Sequence, residues 1–253
     1  MKMINILAIG NSFSQDATHY LQQIATTDGI ELMVANLYIG GCSLMTHYNN
    51  IIDNKADYLL EINGSSTDKY ISVNDALAME KWDFIITQQA SHDSGVQATY
   101  EPYLGSIISY VKDKCPDAEI LLHETWAYEI DSLHPAFVNY DYSQTKMYEC
   151  IKKAYYNEAE KYNLRVIPSG DVIQKLRSVE PFKYGYGGMS ICRDGFHMNI
   201  IYGRYLLGAV WYKALTGKTV ANNTYIPKTP LTPGAVCSDS ILEIIKRIVD
   251  ENV

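Results

Sequence analysis

The chain has 253 residues, 21 Lys and Arg against 29 Asp and Glu for a formal charge of −8, and 47% hydrophobic residues, enough to enclose a core. Length and hydrophobic content suit one α/β domain spanning 1–253. An acidic chain without a Lys/Arg run is a poor partner for nucleic acid, whose affinity comes largely from neutralised phosphates, so none is expected. About six apolar residues precede Gly10-Asn11-Ser12, too few for the apolar core of a secretory signal, and no run approaches the roughly 20 needed to cross a bilayer. A cytoplasmic protein without a membrane partner is expected. The five cysteines form no CxxC pair and read as reduced thiols.

In chain order, the apolar run Met3–Ile9, stopped by Gly10, reads as a buried parallel strand. Ala17, Leu21, Ile24 and Ala25 recur at helical spacing, predicting a helix over 16–27 with Asp16 as its cap. Strands follow at 31–39 and 82–88, a helix at 100–114, a strand at 119–124, a helix at 143–162, a strand at 165–168 and a helix at 199–216. Between them, residues 57–73 place two strand-like runs around Asn63-Gly64-Ser65-Ser66, the pattern of an inserted hairpin. A Gly-rich irregular stretch at 180–193 leads into Asp194-Gly195-Phe196-His197. A tail at 219–238 with Pro227, Pro230 and Pro233 is expected on the surface before a last helix at 239–249. Strands interleaved with helices imply a doubly wound α/β fold with a mainly parallel sheet.

In such sheets ligands bind beyond the carboxyl ends of the strands, so the polar residues after each apolar run carry the chemistry. Ser12 falls in a tight strand-to-helix turn, where a helix N-terminus favours developing negative charge. A serine hydroxyl needs a base within reach, and Asp194-x-x-His197 offers an imidazole with a carboxylate to orient it. Oxyanion donors are available from the backbone N–H of Ser12 and of Gly41, with a side-chain amide from Gln89 or Gln88. Asn11, Trp126 and Tyr184 are candidate substrate contacts. Each residue also has a structural reading: Ser12 as a helix cap, Asp194 as the cap of the helix near Asn199, Gly40-Gly41 as a plain turn, the glutamines as partners of backbone groups, and Trp126 as core. His92, His123, Glu124 and His134 lack the spacing of a metal site, His19 reads as a helix-face residue and His47 as a loop residue, and no Gly-x-Gly-x-x-Gly follows a strand. No metal and no cofactor are expected.

Gly10-Asn11-Ser12-Phe13-Ser14 after the first strand resembles the Gly-Asp-Ser-Leu block of the GDSL/SGNH hydrolases. Gly41 resembles their second-block glycine, and Asp194-x-x-His197 their last block. The runs Trp82–Ser91, Asp194–His197 and Gly203–Leu206 are closer still to the SGNH-like family DUF4886, over nearly the whole chain. The resemblance implies a three-layer flavodoxin-like sandwich with a five-stranded parallel sheet, and ester hydrolysis, often removal of acetyl groups from carbohydrates. Two departures stand out: Asn11 replaces the motif's Asp, and no Gly-x-Asn-Asp block supplies the third oxyanion donor. Gln89 is the favoured replacement, Gln88 the other amide, and His92 takes the place by counting. The expected protein is therefore a serine esterase using Ser12, His197 and Asp194 on a small acyl ester, or else a non-catalytic or decayed relative that binds a glycan or another ligand without turning it over.

The composition is unusual in its 21 tyrosines, as many as Lys and Arg together. Tyr38, Tyr48, Tyr128, Tyr184 and Tyr186 fall near the strand-end loops, where rings with a hydroxyl tip suit a polar ring-shaped ligand, whereas Tyr148, Tyr155, Tyr202 and Tyr205 sit at helical positions and suit packing. The acidic balance favours a neutral or cationic substrate.

Overall fold

The computed structural model describes residues 3–228 and 237–253, so Pro230 and Pro233 of the expected surface tail lie outside the described residues. Seven strands form one sheet: β1 (Ile4–Gly10), β2 (Leu32–Tyr38), β3 (Tyr58–Ile62), β4 (Ser65–Ile71), β5 (Phe84–Thr87), β6 (Glu119–His123) and β7 (Arg165–Ile167). Their order is β4-β3-β2-β1-β5-β6-β7. The five strands β2, β1, β5, β6 and β7 pair in parallel, whereas β3 and β4 are antiparallel. The expected five-stranded parallel sheet is thus present, and the inserted hairpin extends the same sheet at the β2 edge instead of standing apart from it. Counted among the parallel strands alone, the order is 2-1-3-4-5, the flavodoxin-like arrangement.

Nine α-helices are described: α1 (Ser12–Thr18), α2 (Leu21–Thr27), α3 (Leu44–Ile52), α4 (Val73–Met79), α5 (Tyr103–Lys114), α6 (Gln144–Tyr162), α7 (Ser169–Leu176), α8 (Tyr202–Thr216) and α9 (Asp239–Asn252). Helices α1, α2 and α9 pack on α8, while α3 and α4 pack on α5. The central strands are buried on both faces, as in β1, where Ile6, Leu7, Ala8 and Ile9 are all enclosed. This is why they read as apolar runs without alternation.

The helix expected at 16–27 is two helices, and it begins four residues earlier. Asn11, not Asp16, caps it: the Asn11 backbone is extended and its side chain accepts from Phe13 N. Asp16 lies inside α1, fully buried. Helices α3 and α4 were not expected from periodicity, yet both carry serine caps. Ser43 accepts from Thr46 N, and Ser72 Oγ accepts from Asp75 N while its hydroxyl donates to Asp75 Oδ2. His47, expected in a loop, is buried in α3 against Tyr58. Among the described residues, no helix is long and apolar enough to cross a membrane.

Candidate active site

The order of the parallel strands reverses between β1 and β5, and the carboxyl ends there open the crevice where such sheets bind ligands. Ser12 follows β1 directly, at the first position of α1, and its Oγ lies 2.9 Å from His197 Nε2. His197 Nδ1 lies 2.7 Å from Asp194 Oδ2. A carboxylate only accepts, so Nδ1 carries the proton and Nε2 of the neutral ring accepts the Ser12 hydroxyl. Asp194 Oδ1 takes the His197 N–H at 2.8 Å and the Phe196 N–H at 3.2 Å. Partial burial raises the Asp194 pKa, but the bonds from the His197 ring, the His197 N–H and the Phe196 N–H outweigh it and hold the carboxyl below the usual range. Asp194 therefore closes its own turn, and Asn199 serves the start of α8 by accepting from Ile201 N and Tyr202 N.

The segment 193–198 is held from two sides. From α1, the Asp16 carboxylate, 0% exposed, accepts Arg193 Nη1 at 3.0 Å on both oxygens, Arg204 Nε at 2.7 Å and Met198 N at 2.9 Å. Asp16 stands one helical turn beyond Ser12, so one short helix carries the serine and the anchor of the loop bearing its base. Sequence reading missed this role; the signal was a carboxylate at i+4 from the serine with Arg193 beside Asp194. From the other side, Trp126 Nε1 donates to Phe196 O at 2.7 Å and Glu129 N donates to Gly195 O at 2.7 Å. Gly195 needs its positive φ of 86° for this turn.

Trp126 does not wall an open cleft. It is 1% exposed, stacked on Phe13 at 3.9 Å between ring centroids, because the apolar ring finds a flat partner beneath the site. Asn11 is equally buried, and its amide is spent on Phe13 N, Gln88 Nε2 and Cys42 O, leaving nothing for a substrate. Tyr184 lies on a short 3-10 turn with its hydroxyl donating to Asp131 at 2.7 Å, so its polar tip is already engaged within the protein. Tyr128, expected to face a ligand, is buried with its hydroxyl 3.0 Å from Ser91 Oγ.

On the oxyanion side, Gly41 follows β2, next to β1 in the sheet, with φ +65°. Among the described residues neither Ser12 N–H nor Gly41 N–H has a hydrogen-bond acceptor within the fold. The two glutamines, expected as oxyanion donors, are engaged within the fold instead. Gln89 Nε2 is taken by Thr99 O and Oγ1, both at 3.0 Å, and its Oε1 by Leu44 N and Ala90 N. Gln88 is bound at both ends, to Asn11 and to His123. Both amides serve buried groups that would otherwise be unpaired, and neither is free to reach an oxyanion. His92, the position reached by counting, is partly exposed and lies 3.6 Å from Asp93. His134 lines the same side, its ring 4.9 Å from Phe196, whose ring is 4.2 Å from His197. His123 and Glu124 are buried, and among the described residues no group of three or more His, Cys, Asp or Glu is arranged to hold a metal.

A doubly wound sandwich with this strand order is the fold shared with solved SGNH hydrolases. A protein of Slackia heliotrinireducens assigned to that class superposes with a TM-score of 0.57 at 22% identity, over 85% of this chain and 100% of its own. The acetylxylan esterase Axe2 from Geobacillus stearothermophilus superposes with a TM-score of 0.55 at 13% identity, over 84% of this chain and 94% of its own. More narrowly, the chain belongs to the DUF4886 family, a domain of unknown function whose model matches residues 5–238. A DUF4886 family protein from Bacteroides uniformis ATCC 8492 is 34% identical, with a TM-score of 0.88 over 99% of this chain and 94% of that one. No curated protein is similar enough to match.

Proposed function

We propose that the chain is a serine esterase of the SGNH type that hydrolyses a small acyl ester, acetyl foremost, carried by a carbohydrate or similar polar alcohol. The observation that carries this reading is the unbroken line Ser12 Oγ, His197 Nε2, His197 Nδ1, Asp194 Oδ2, with contacts of 2.9 and 2.7 Å. Ser12 Oγ attacks the acyl carbon as His197 Nε2 takes its proton. The imidazolium, balanced by Asp194, then delivers that proton to the departing alcohol oxygen as the ester C–O bond breaks. Water attacks the acyl-enzyme with His197 again as base, and the carboxylic acid leaves. The Ser12 and Gly41 N–H groups, unpaired within the described fold, are the donors for the oxyanion. The fold shared with an acetylxylan esterase supports the acetyl and carbohydrate parts of the reading, and the 21% and 41% exposure of the His197 and Asp194 side chains leaves the base open to a substrate.

The commitment of both glutamines within the fold favours a second reading, in which the scaffold binds a glycan without turnover. One assay separates them. The esterase reading expects turnover of aryl acetates and of a panel of acetylated sugars, lost on Ser12→Ala by about 10⁴-fold or more. Glycan binding by calorimetry with no turnover of any ester would establish the second reading in its place.

A further inference from the structure

A buried chain of side chains crosses the molecule from α7 to the loop that bears Gly41. Ser169 Oγ lies 3.0 Å from His123 Nε2, His123 Nδ1 lies 2.6 Å from Gln88 Oε1, Gln88 Nε2 donates to Asn11 Oδ1 at 2.8 Å, and Asn11 Nδ2 donates to Cys42 O at 3.0 Å. All five residues are buried. The direction of every bond is dictated by the backbone at one end. Phe13 N–H can only donate and Cys42 C=O can only accept, which fixes the Asn11 amide with its oxygen toward Phe13 and its nitrogen toward Cys42. That orientation makes Gln88 a donor to Asn11, so its oxygen must receive a proton from His123 Nδ1. The neutral ring then accepts the Ser169 hydroxyl at Nε2.

We propose that this chain positions the oxyanion donors, and that asparagine stands at position 11 because the Cys42 carbonyl requires a donor there. The proposal rests on the esterase reading. Asn11 caps α1 through Phe13 N, leaving the Ser12 N–H unpaired in the described fold, and the same amide holds the Cys42 carbonyl, in the Cys42–Ser43 peptide one residue beyond Gly41. At Gly41 itself packing adds nothing, since a Cβ there would have no heavy atom within 4 Å; beside the Asn11 bond the loop is held by Cys42 N donating to Ile39 O at 3.2 Å and Leu44 N donating to Gln89 Oε1 at 2.9 Å. The departure from Gly-Asp-Ser is then a fitted replacement and not decay. An aspartate at position 11 would set a carboxylate oxygen against the Cys42 carbonyl oxygen, and only its protonated form could donate.

Asn11→Asp, which restores the motif of the resembling family, is the test. Against wild type on an aryl acetate at pH 8, kcat/KM is expected to fall about 10²-fold or more through kcat, with KM little changed. The ratio of variant to wild type is expected to rise at least tenfold on going to pH 5, as protonation of the introduced carboxylate restores the donor. His123, which reaches Asn11 through Gln88, and Cys42, whose carbonyl takes the Asn11 amide, are held neutral by burial, pushed to about 3 and about 12. Asp16, Arg193, Arg204, Asp194 and His197 are common to both proteins and cancel in the ratio. A ratio near one, or flat with pH, overturns the proposal. Nitrogen-15 spectra of the wild type add a readout that survives a misfolded variant: His123 is expected protonated at Nδ1, and an Nε2–H tautomer overturns the chain. If the wild type turns over no ester, the esterase reading fails while the His123 tautomer still decides the chain.

Discussion

Asp16→Asn keeps the shape of the side chain and removes the charge that joins α1 to the loop of the base. In the wild type that carboxylate is fully buried and accepts bonds from two guanidinium groups and the Met198 N–H. Losing one partner of a buried ion pair costs about 3–5 kcal/mol. The lower end applies here, because Arg193 and Arg204 keep 28% and 15% exposure and water can screen them. For a chain of this size about 3 kcal/mol corresponds to a fall in Tm of about 6–12 °C. The kinetic consequence is separate. Arg193 and Met198 flank the Asp194–His197 segment, and a displacement of about 1 Å between base and serine costs about 10² in rate. The assay is thermal unfolding together with kcat on an aryl acetate, read well below the melting point of the variant. A folded Asp16→Asn protein with Tm within about 2 °C of wild type and unchanged kcat would refute the clamp.

Gly41→Ala puts a side chain on a residue at φ +65°, where space is open but the left-handed backbone costs an L-residue about 1–2 kcal/mol. The expected result is a small fall in Tm with at least a tenfold fall in kcat, measured by the same two assays; kinetics equal to wild type would remove Gly41 from the oxyanion site. Glu124 is buried with Oε1 unpartnered, and desolvation, reinforced by the neighbouring Asp171 charge, pushes its carboxyl up to about 8. Its folded pKa thus lies above its unfolded one, so this group costs nothing below pH about 4 and lowers stability progressively as pH rises toward 8. Glu124→Gln should flatten that decline, followed as Tm between pH 5 and 8; a variant that parallels wild type would show that Glu124 does not set the slope.

Ser12, Asp194 and His197 could be picked from the sequence because each has a local signature: a polar turn after a buried strand, and a carboxylate three residues before an imidazole. The structure brings these three within hydrogen-bond distance. The glutamines were illegible for a physical reason. An amide bonds equally well to substrate or protein, and the acceptor for Gln89 lies in Thr99, set by how the 88–99 loop folds back. Trp126 likewise gave no sign that Phe13 would cover it. In sequence Asp16 reads as a cap because its partners are more than 170 residues away. The parallel sheet is legible from its unbroken apolar runs, whereas the short α3, α4 and α7 have too few turns for periodicity to register; α3 and α4 are held by serine caps and packing, α7 by packing against α6, α8 and α9.

The central claim is that Ser12 is a nucleophile activated by His197. Intact-mass measurement after treatment with a serine-reactive fluorophosphonate tests it most directly. One covalent adduct is expected on the wild type, mapped to Ser12 by peptide sequencing and absent from Ser12→Ala. A folded wild type that takes up no label, or carries it on another residue, would contradict the account.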